Sequence, residues 1–172
     1  SNPSKAIGYT SFGVNIPKSQ NRGHILVLID DRFTTSLKDE IRELNENLIG
    51  DGWNPTISYC SKDSSVDYTK DLIDGINSTT TLDALYIVGH IPVPYSGVIF
   101  PDGHSDHKGA WPTDLYYAST KSEWTDTIGF ANSSNTSMNN KPQDGKYDLS
   151  SLVSELNFPI SRIDFYNLPG QS

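Results

Sequence analysis

The stretch that decides the fold is His24-Ile-Leu-Val-Leu-Ile29, which is followed at once by Asp30 and Asp31. A continuous apolar run that ends in acidic residues is typical of a strand buried on both faces of a parallel sheet. Shorter runs of similar character at residues 53–59, 82–88 and 156–165 predict three further strands. The pattern as a whole therefore predicts a largely parallel sheet.

Two amphipathic helices are predicted between the first three of these strands. Residues 34–49 carry apolar side chains at spacings of four, three and four, with Thr35 or Ser36 as the N-cap and Gly50 as the stop. Residues 66–76 also gather their apolar side chains on one face. The apolar positions of the two helices are Leu37, Ile41, Leu44 and Leu48, then Val66, Leu72, Ile73 and Ile76.

The order strand, helix, strand, helix, strand predicts an α/β fold of three layers, in which a mostly parallel sheet carries helices on both faces. We expect one domain over residues 24–166, an extended leader over 1–23 with an edge strand around 7–12, and a tail over 167–172. A long insert over 91–140 contains four prolines and has no sustained period. Ordered inserts of this length are often functional.

Composition excludes several classes of partner. The 172-residue chain has a net charge of -8 and a pI near 4.8, and it lacks the basic stripe that nucleic acids and anionic membranes require. No apolar run approaches the roughly 18 residues of a membrane span. A single cysteine, Cys60, rules out an internal disulfide. Few lysines and abundant Ser, Thr and Asn favour an exported bacterial protein, extracellular or at the cell surface.

Parallel strands bring their carboxyl ends to one edge of the sheet, where open α/β folds bind ligands. Asp30, Asp31 and His90 are expected to meet there, with Tyr95 and Trp111 lining the same crevice. Cys60 follows the second strand, so a nucleophilic Cys60 with His90 as its base is one catalytic candidate. Burial of Cys60 as a small hydrophobe is the favoured alternative.

The segment 102–114 is dense in histidine and aspartate and is a candidate metal site. Imidazole nitrogens and carboxylate oxygens suit zinc, and the candidate ligands are His104, Asp106, His107 and Asp114. Because their spacing matches no strong motif, an interpretation in which these side chains cap turns and bond the loop backbone is favoured.

A calcium site is the other metal hypothesis. Asp144 and Asp148 flank a glycine turn, and Asp126 is available to complete a set of oxygen ligands. A simple Asp-Gly turn explains the same residues equally well.

Aromatic side chains are concentrated in the second half of the chain, and exposed examples could stack on the sugar rings of a surface glycan. The candidates are Trp111, Trp124, Tyr95, Tyr116 and Tyr117. Burial over the end of the sheet is the favoured alternative, since large aromatics contribute heavily to cores.

Four short segments follow one another in a distinctive order: residues 84–89 (Ala-Leu-Tyr-Ile-Val-Gly), 113–117 (Thr-Asp-Leu-Tyr-Tyr), 144–148 (Asp-Gly-Lys-Tyr-Asp) and 158–164 (Phe-Pro-Ile-Ser-Arg-Ile-Asp). This order resembles the amino-terminal subdomain of gingipain-type cysteine peptidases, where a strand ending in Val-Gly-Asp precedes Asp-x-Tyr-Tyr, an acidic turn and a closing Gly-Arg strand. Residues 89–97 also resemble a Gly-His-x-Pro-Val-Pro-Tyr-Ser-Gly segment of uncharacterised surface proteins of related bacteria.

The resemblance implies a caspase-like α/β fold and calcium at Asp144 and Asp148. This chain has His90 where the family has aspartate, Ser161 where it has glycine, and an extra proline-rich insert. The family's catalytic His and Cys belong to the following subdomain, so no catalytic role transfers to a residue of this chain.

Three functions follow as hypotheses. The first is a noncatalytic domain, stabilised by calcium, with a binding or structural role beside a downstream domain of the same polypeptide. The second is a metal-dependent hydrolase that uses the His/Asp loop together with His90. The third is a carbohydrate-binding module that uses the exposed aromatics.

Overall fold

A computed structural model describes residues 21–127, 131–152, 154–166 and 168. Its strands and helices, in chain order, are β1 (Gly23–Asp30), α1 (Phe33–Ser36), α2 (Lys38–Gly50), β2 (Trp53–Cys60), α3 (Val66–Thr79), β3 (Ala84–Val88), β4 (Tyr95–Ser96), β5 (Trp111–Pro112), α4 (Leu115–Ala118) and β6 (Ile160–Ile163). Short 3-10 turns occupy Ser105–His107, Lys121–Glu123 and Thr136–Met138.

The central sheet has four strands in the order β2-β1-β3-β6, and every neighbouring pair is parallel. The predicted α/β fold with a mostly parallel sheet is therefore confirmed. The last six residues of β1 are buried, as the unbroken apolar run predicts. The predicted edge strand at residues 7–12 lies outside the described residues.

The predicted helix over 34–49 is interrupted at Leu37, whose φ of -119° and ψ of 28° separate α1 from α2. Thr35 and Ser36 lie within α1 and cap nothing, so the N-cap prediction is wrong. The helix α3 is capped as the sequence rules expect, by a Ser65 hydroxyl that accepts a hydrogen bond from the Tyr68 amide at 3.0 Å.

One face of the sheet, which we call the closed face, is covered by α3, α4 and the loops that follow. Its core joins strand residues such as Leu26, Leu28 and Ile87 to the fully buried rings of Tyr116 and Tyr117. Since side chains alternate along a strand, these residues form one continuous apolar layer.

The opposite face, which we call the open face, is covered only in part by the residues that the structure describes. Ile41, Leu44 and Leu48 of α2 pack against the core of β1, which consists of Ile25, Val27 and Ile29. Over β3 and β6 the same face carries half-buried or exposed side chains, among them Tyr86, Val88 and Ile163. On this face α2 therefore covers β1, whereas β3 and β6 remain partly exposed.

Candidate functional site

The carboxyl ends of β1, β3 and β6 lie side by side and form the edge at which a ligand is expected. The connection from β1 to β2 runs through α2 on the open face, whereas the connection from β2 to β3 runs through α3 on the closed face. The direction of winding therefore reverses between β1 and β3, which is where open parallel sheets bind their ligands.

Asp30, at the end of β1, organises this edge. Its side chain has no exposed surface and accepts hydrogen bonds from Nε of Arg32 at 2.9 Å, Nη2 of Arg32 at 2.5 Å and the amide of His90 at 3.2 Å. Burial raises the pKa of the Asp30 carboxyl, but the hydrogen bonds and charge of Arg32 outweigh burial and leave the pKa below its usual value. Asp30 therefore ties β1 to β3 as a carboxylate.

His90 is fixed by the strand next to its own. Its Nδ1 lies 2.8 Å from Oδ2 of Asp164, just beyond β6, and its ring stacks on Tyr166 with 4.1 Å between ring centroids. The Arg32 guanidinium lies over the Tyr166 ring, 4.9 Å from its centroid. The polar side chains of the edge are thus paired with one another.

Gly89 allows these strands to approach so closely. Its φ of +93° is one that side-chain-bearing residues rarely adopt, and a Cβ at this position would lie 2.7 Å from both Asp30 and Phe33. A glycine is therefore required where β3 turns toward His90.

Beside these residues a cleft of about 800 Å³ opens on the open face. Its walls combine apolar side chains with the paired polar groups of the edge: Arg32, Phe33, Leu37, Val88, Gly89, His90, Ile163, Asp164, Phe165 and Tyr166. Among these described lining residues there is no serine, threonine or cysteine, so the cleft offers an apolar surface with a polar rim and neither an aliphatic hydroxyl nor a thiol.

Two residues predicted to line this crevice lie elsewhere. Tyr95 and Trp111 belong to β4 and β5, which pair antiparallel, and Trp111 lines a separate cavity of about 160 Å³. The reason is that the chain leaves β3 toward the closed face, where Pro92 accepts a hydrogen bond from the Tyr117 hydroxyl at 2.7 Å. Asp31 is exposed and does not line the cleft.

The predicted pair of Cys60 and His90 is also wrong. β1 lies between β2 and β3, so the two strand ends are separated by two strand spacings, roughly 10 Å. Cys60 is buried in the closed-face core, where its Sγ lies 3.4 Å from Oγ1 of Thr69. It is the small buried hydrophobe of the alternative interpretation.

The predicted zinc ligands come together only in part. His104 and His107 converge on Asp102, which was not among the predicted ligands, and these are the one group of three ligating side chains that the described residues bring together. Asp114 instead forms a two-point ion pair with Arg162, at 2.7 and 2.8 Å. Asp106 lies outside the group, with Oδ2 at 3.9 Å from Nε2 of His107.

The Asp102 carboxylate and the His107 ring polarise each other. Their hydrogen bond, 2.5 Å long, is the main cause that lowers the pKa of Asp102 to about 2 and raises the pKa of His107. An exposed ion pair of this kind adds little to stability.

The predicted calcium ligands hold loop backbone. Asp126 accepts hydrogen bonds at 2.8 Å from the amides of Gln143 and Gly145. Asp144 accepts hydrogen bonds from the backbone amides of Lys141 and Lys146, at 3.1 and 3.0 Å. Asp148 accepts the Thr127 amide at 2.8 Å. In the described part of the chain these carboxylates do not converge as a ligand group, and the turn interpretation explains their positions.

Most of the aromatic candidates for glycan stacking are buried. Tyr116 and Tyr117 have no exposed surface and Trp124 is 9% exposed, so none of them offers a ring face to a sugar. Burial raises the pKa of both tyrosines, and the Tyr116 hydroxyl donates to Asp67 at 2.7 Å. Tyr147 stacks on Tyr116, and burial raises its pKa to about 12. This aromatic cluster is part of the core.

Four residues that shape the two clusters are not among the predicted ligands or crevice residues: Arg32, Asp102, Asp164 and Tyr166. A signal existed for two of them. Arg32 lies two residues beyond the end of β1 and Asp164 directly follows β6, at the same carboxyl edge that pointed to Asp30 and His90.

Comparison with protein-family models, with curated proteins and with solved structures finds no match for this chain. The gingipain resemblance therefore stays a prediction. Among the described residues, no helix combines the length and the apolar character needed to cross a bilayer.

Proposed function

We propose that this chain is a noncatalytic domain of an exported protein and that it binds an extended polypeptide segment along β6 and the open face. The observation that carries the proposal is that the described part of the chain covers that face incompletely. Beside the cleft, Ile163 is 36% exposed, Phe165 57% and Tyr166 48%. Contiguous apolar surface at the rim of a cleft is typical of a protein interaction site.

The outer edge of β6 favours a partner that is itself a strand. The carbonyls of Pro159 and Ile163 accept hydrogen bonds from Leu85 and Gly89, at 2.9 and 2.8 Å. Because hydrogen-bonding groups alternate along a strand, the main chain of Ile160 and Arg162 points away from β3. In the described residues no strand pairs with that edge, and an unpaired sheet edge is a template on which a further strand can add.

Side-chain alternation defines the chemistry of the partner. Ile160 packs into the closed-face core and Arg162 bonds Asp114 on that side, whereas Ile163 lines the open cleft. An added strand would likewise turn every second side chain toward the open face. We therefore expect a segment with apolar residues at alternate positions, one or two of which enter the cleft.

A binding role fits the polar groups of the edge better than catalysis does. Asp30 is held by Arg32, and His90 is held by Asp164, so these side chains orient the strand ends. The resemblance to an amino-terminal subdomain supports a partner strand that comes from a following domain. An extended segment of a separate protein, with apolar residues at the same alternate positions, would bind to the same edge. Exported character is supported by composition.

Selection from a displayed library of random peptides tests the proposal. We expect enrichment of peptides with alternating apolar residues, and we expect Phe165→Ser to weaken their binding at least tenfold. Tyr68→Ser is the matched control, because Tyr68 is 58% exposed but lies on α3, away from the cleft. No enrichment, or equal loss of binding in both variants, would contradict the proposal.

A further inference from the structure

The insert contains a cluster of ligating side chains that the proposed peptide site does not use. Oδ2 of Asp102 lies 3.3 Å from Nδ1 of His104 and 2.5 Å from Nδ1 of His107, and one ligand atom from each residue falls within 4.8 Å of the others. All three side chains reach solvent, with exposures of 34%, 70% and 42%. An ion can therefore reach the point on which they converge.

The backbone holds this cluster from several sides. The amide of His104 donates to Oδ1 of Asp102 at 3.1 Å, and the amide of His107 donates to the carbonyl of His104 at 3.0 Å, which closes a 3-10 turn. The indole of Trp111 donates to the carbonyl of His107 at 3.2 Å. The carbonyl of Asp106, within the same turn, accepts a hydrogen bond from the Ser134 amide at 2.8 Å. The ligands thus sit on an anchored segment.

The distances suit a small tetrahedral ion. Zinc binds imidazole nitrogen and carboxylate oxygen at about 2.0 to 2.2 Å, which places neighbouring ligand atoms roughly 3.3 Å apart. The separation of Asp102 and His104 already has this value, at 3.3 Å. The separation of Asp102 and His107 would widen as an ion replaced the proton between them. Calcium is disfavoured, because it prefers six to eight oxygen ligands.

We propose that Asp102, His104 and His107 form a zinc-type transition-metal site with an open fourth position. Asp106 acts as a positioning residue, since its carboxylate lies 3.9 Å from the Nε2 of His107, the nitrogen that would point away from the ion. Asp114 and His90 take no part, because Arg162 and Asp164 hold them. The sequence signature is Asp-x-His-x-x-His in a loop.

Cobalt titration of protein purified without an affinity tag tests the site. Tetrahedral cobalt absorbs visible light much more strongly than octahedral cobalt, so we expect a strong visible band at one equivalent that zinc abolishes. His104→Gln and His107→Gln are each expected to lower the affinity at least about 100-fold, and Asp106→Asn about tenfold. His24→Gln is the histidine control, because His24 lies at the amino end of β1 and outside the cluster.

A second readout places the ion. The centroid of the Trp111 ring lies 6.3 Å from that of His107, so bound cobalt should quench the fluorescence of Trp111, and His107→Gln should abolish this quenching together with the visible band. Unchanged thermal midpoints will show that the variants are folded. Weak octahedral absorption, or equal affinity in His104→Gln and His24→Gln, would overturn the proposal.

Discussion

The two faces of the sheet use the same strands but differ in how they are covered. On the closed face Tyr116 and Tyr117 are fully buried, and their hydroxyls donate to Asp67 and to the carbonyl of Pro92. On the open face Phe165 and Tyr166 keep about half of their surface exposed, 57% and 48%. Burial of apolar surface stabilises a protein by about 25 cal/mol per Å². The closed face therefore already contributes to the stability of the fold, whereas the exposed apolar surface of the open face can still be buried by a binding partner.

The largest expected effect compares one isoleucine from each face. Ile87 of β3 has no exposed surface and packs in the closed-face core, whereas Ile163 of β6 is 36% exposed. Ile87→Ala should lower the free energy of unfolding by about 4 kcal/mol and Ile163→Ala by about 1 kcal/mol, because only the first leaves a closed cavity. Urea denaturation measures both. Equal losses would show that the open face is as much a core as the closed face.

The next largest effect on stability is expected from the ion pair of Asp30 and Arg32 at the carboxyl edge of the sheet. Asp30→Asn keeps the shape of the side chain but removes the charge that binds Arg32, and we expect a loss of about 2 kcal/mol at neutral pH. Arg32→Lys is the companion variant, because lysine keeps the charge but cannot reproduce the contact through Nε and Nη2. A neutral Asp30→Asn substitution would contradict the role assigned to Asp30.

Acid should reduce the difference between wild type and Asp30→Asn. The pKa of Asp30 in the folded protein lies below the unfolded value of 3.8, so its contribution is complete above that value and is lost as pH falls through the folded pKa. The two proteins should therefore converge in stability as pH falls through the folded pKa of Asp30, as measured by thermal unfolding across pH. A difference that widens in acid would mean that the pKa of Asp30 is raised.

A smaller effect on stability is expected from Phe165→Ser. More than half of this side chain is already exposed, at 57%, so the free energy of unfolding should change by less than about 0.5 kcal/mol while peptide binding is lost. Thermal unfolding and peptide titration on the same sample separate the two effects. Loss of stability together with binding would assign Phe165 to the core.

The smallest effect concerns calcium. Asp126, Asp144 and Asp148 already accept hydrogen bonds from loop amides, so addition of millimolar calcium or of a chelator should leave the melting midpoint unchanged. Calorimetry in the two conditions measures this. A calcium-dependent rise in the midpoint would restore the calcium site that the gingipain resemblance implies.

The sheet was predictable because its signals are local. An apolar run such as 24–29 can be satisfied only by burial on both faces, and the carboxyl-edge rule then places Asp30 and His90 near each other. The break at Leu37 was not predictable, because the apolar spacing continues across it. Leu37 turns toward the cleft, which is a tertiary effect that overrides helical periodicity.

The site was harder to predict because its pairs are distant in sequence. His90 and Asp164 are separated by 74 residues, and their contact depends on β6 pairing with β3. The path of the insert is equally hidden in the sequence, and it carries Tyr95 and Trp111 to the β4–β5 pair, away from the cleft. Contacts within a short turn are easier to predict: His104 and His107 do converge, although on Asp102 rather than on Asp106.

The central claim is that the outer edge of β6 and the open face bind one extended segment. Residue-resolved amide hydrogen exchange, with and without a selected peptide, tests it most directly. The account predicts new protection at Ile160 and Arg162, whose amides point away from β3, and little change at Ser161 and Ile163, which face β3. Protection confined to α3 or to the insert, with Ile160 and Arg162 unchanged, would contradict it.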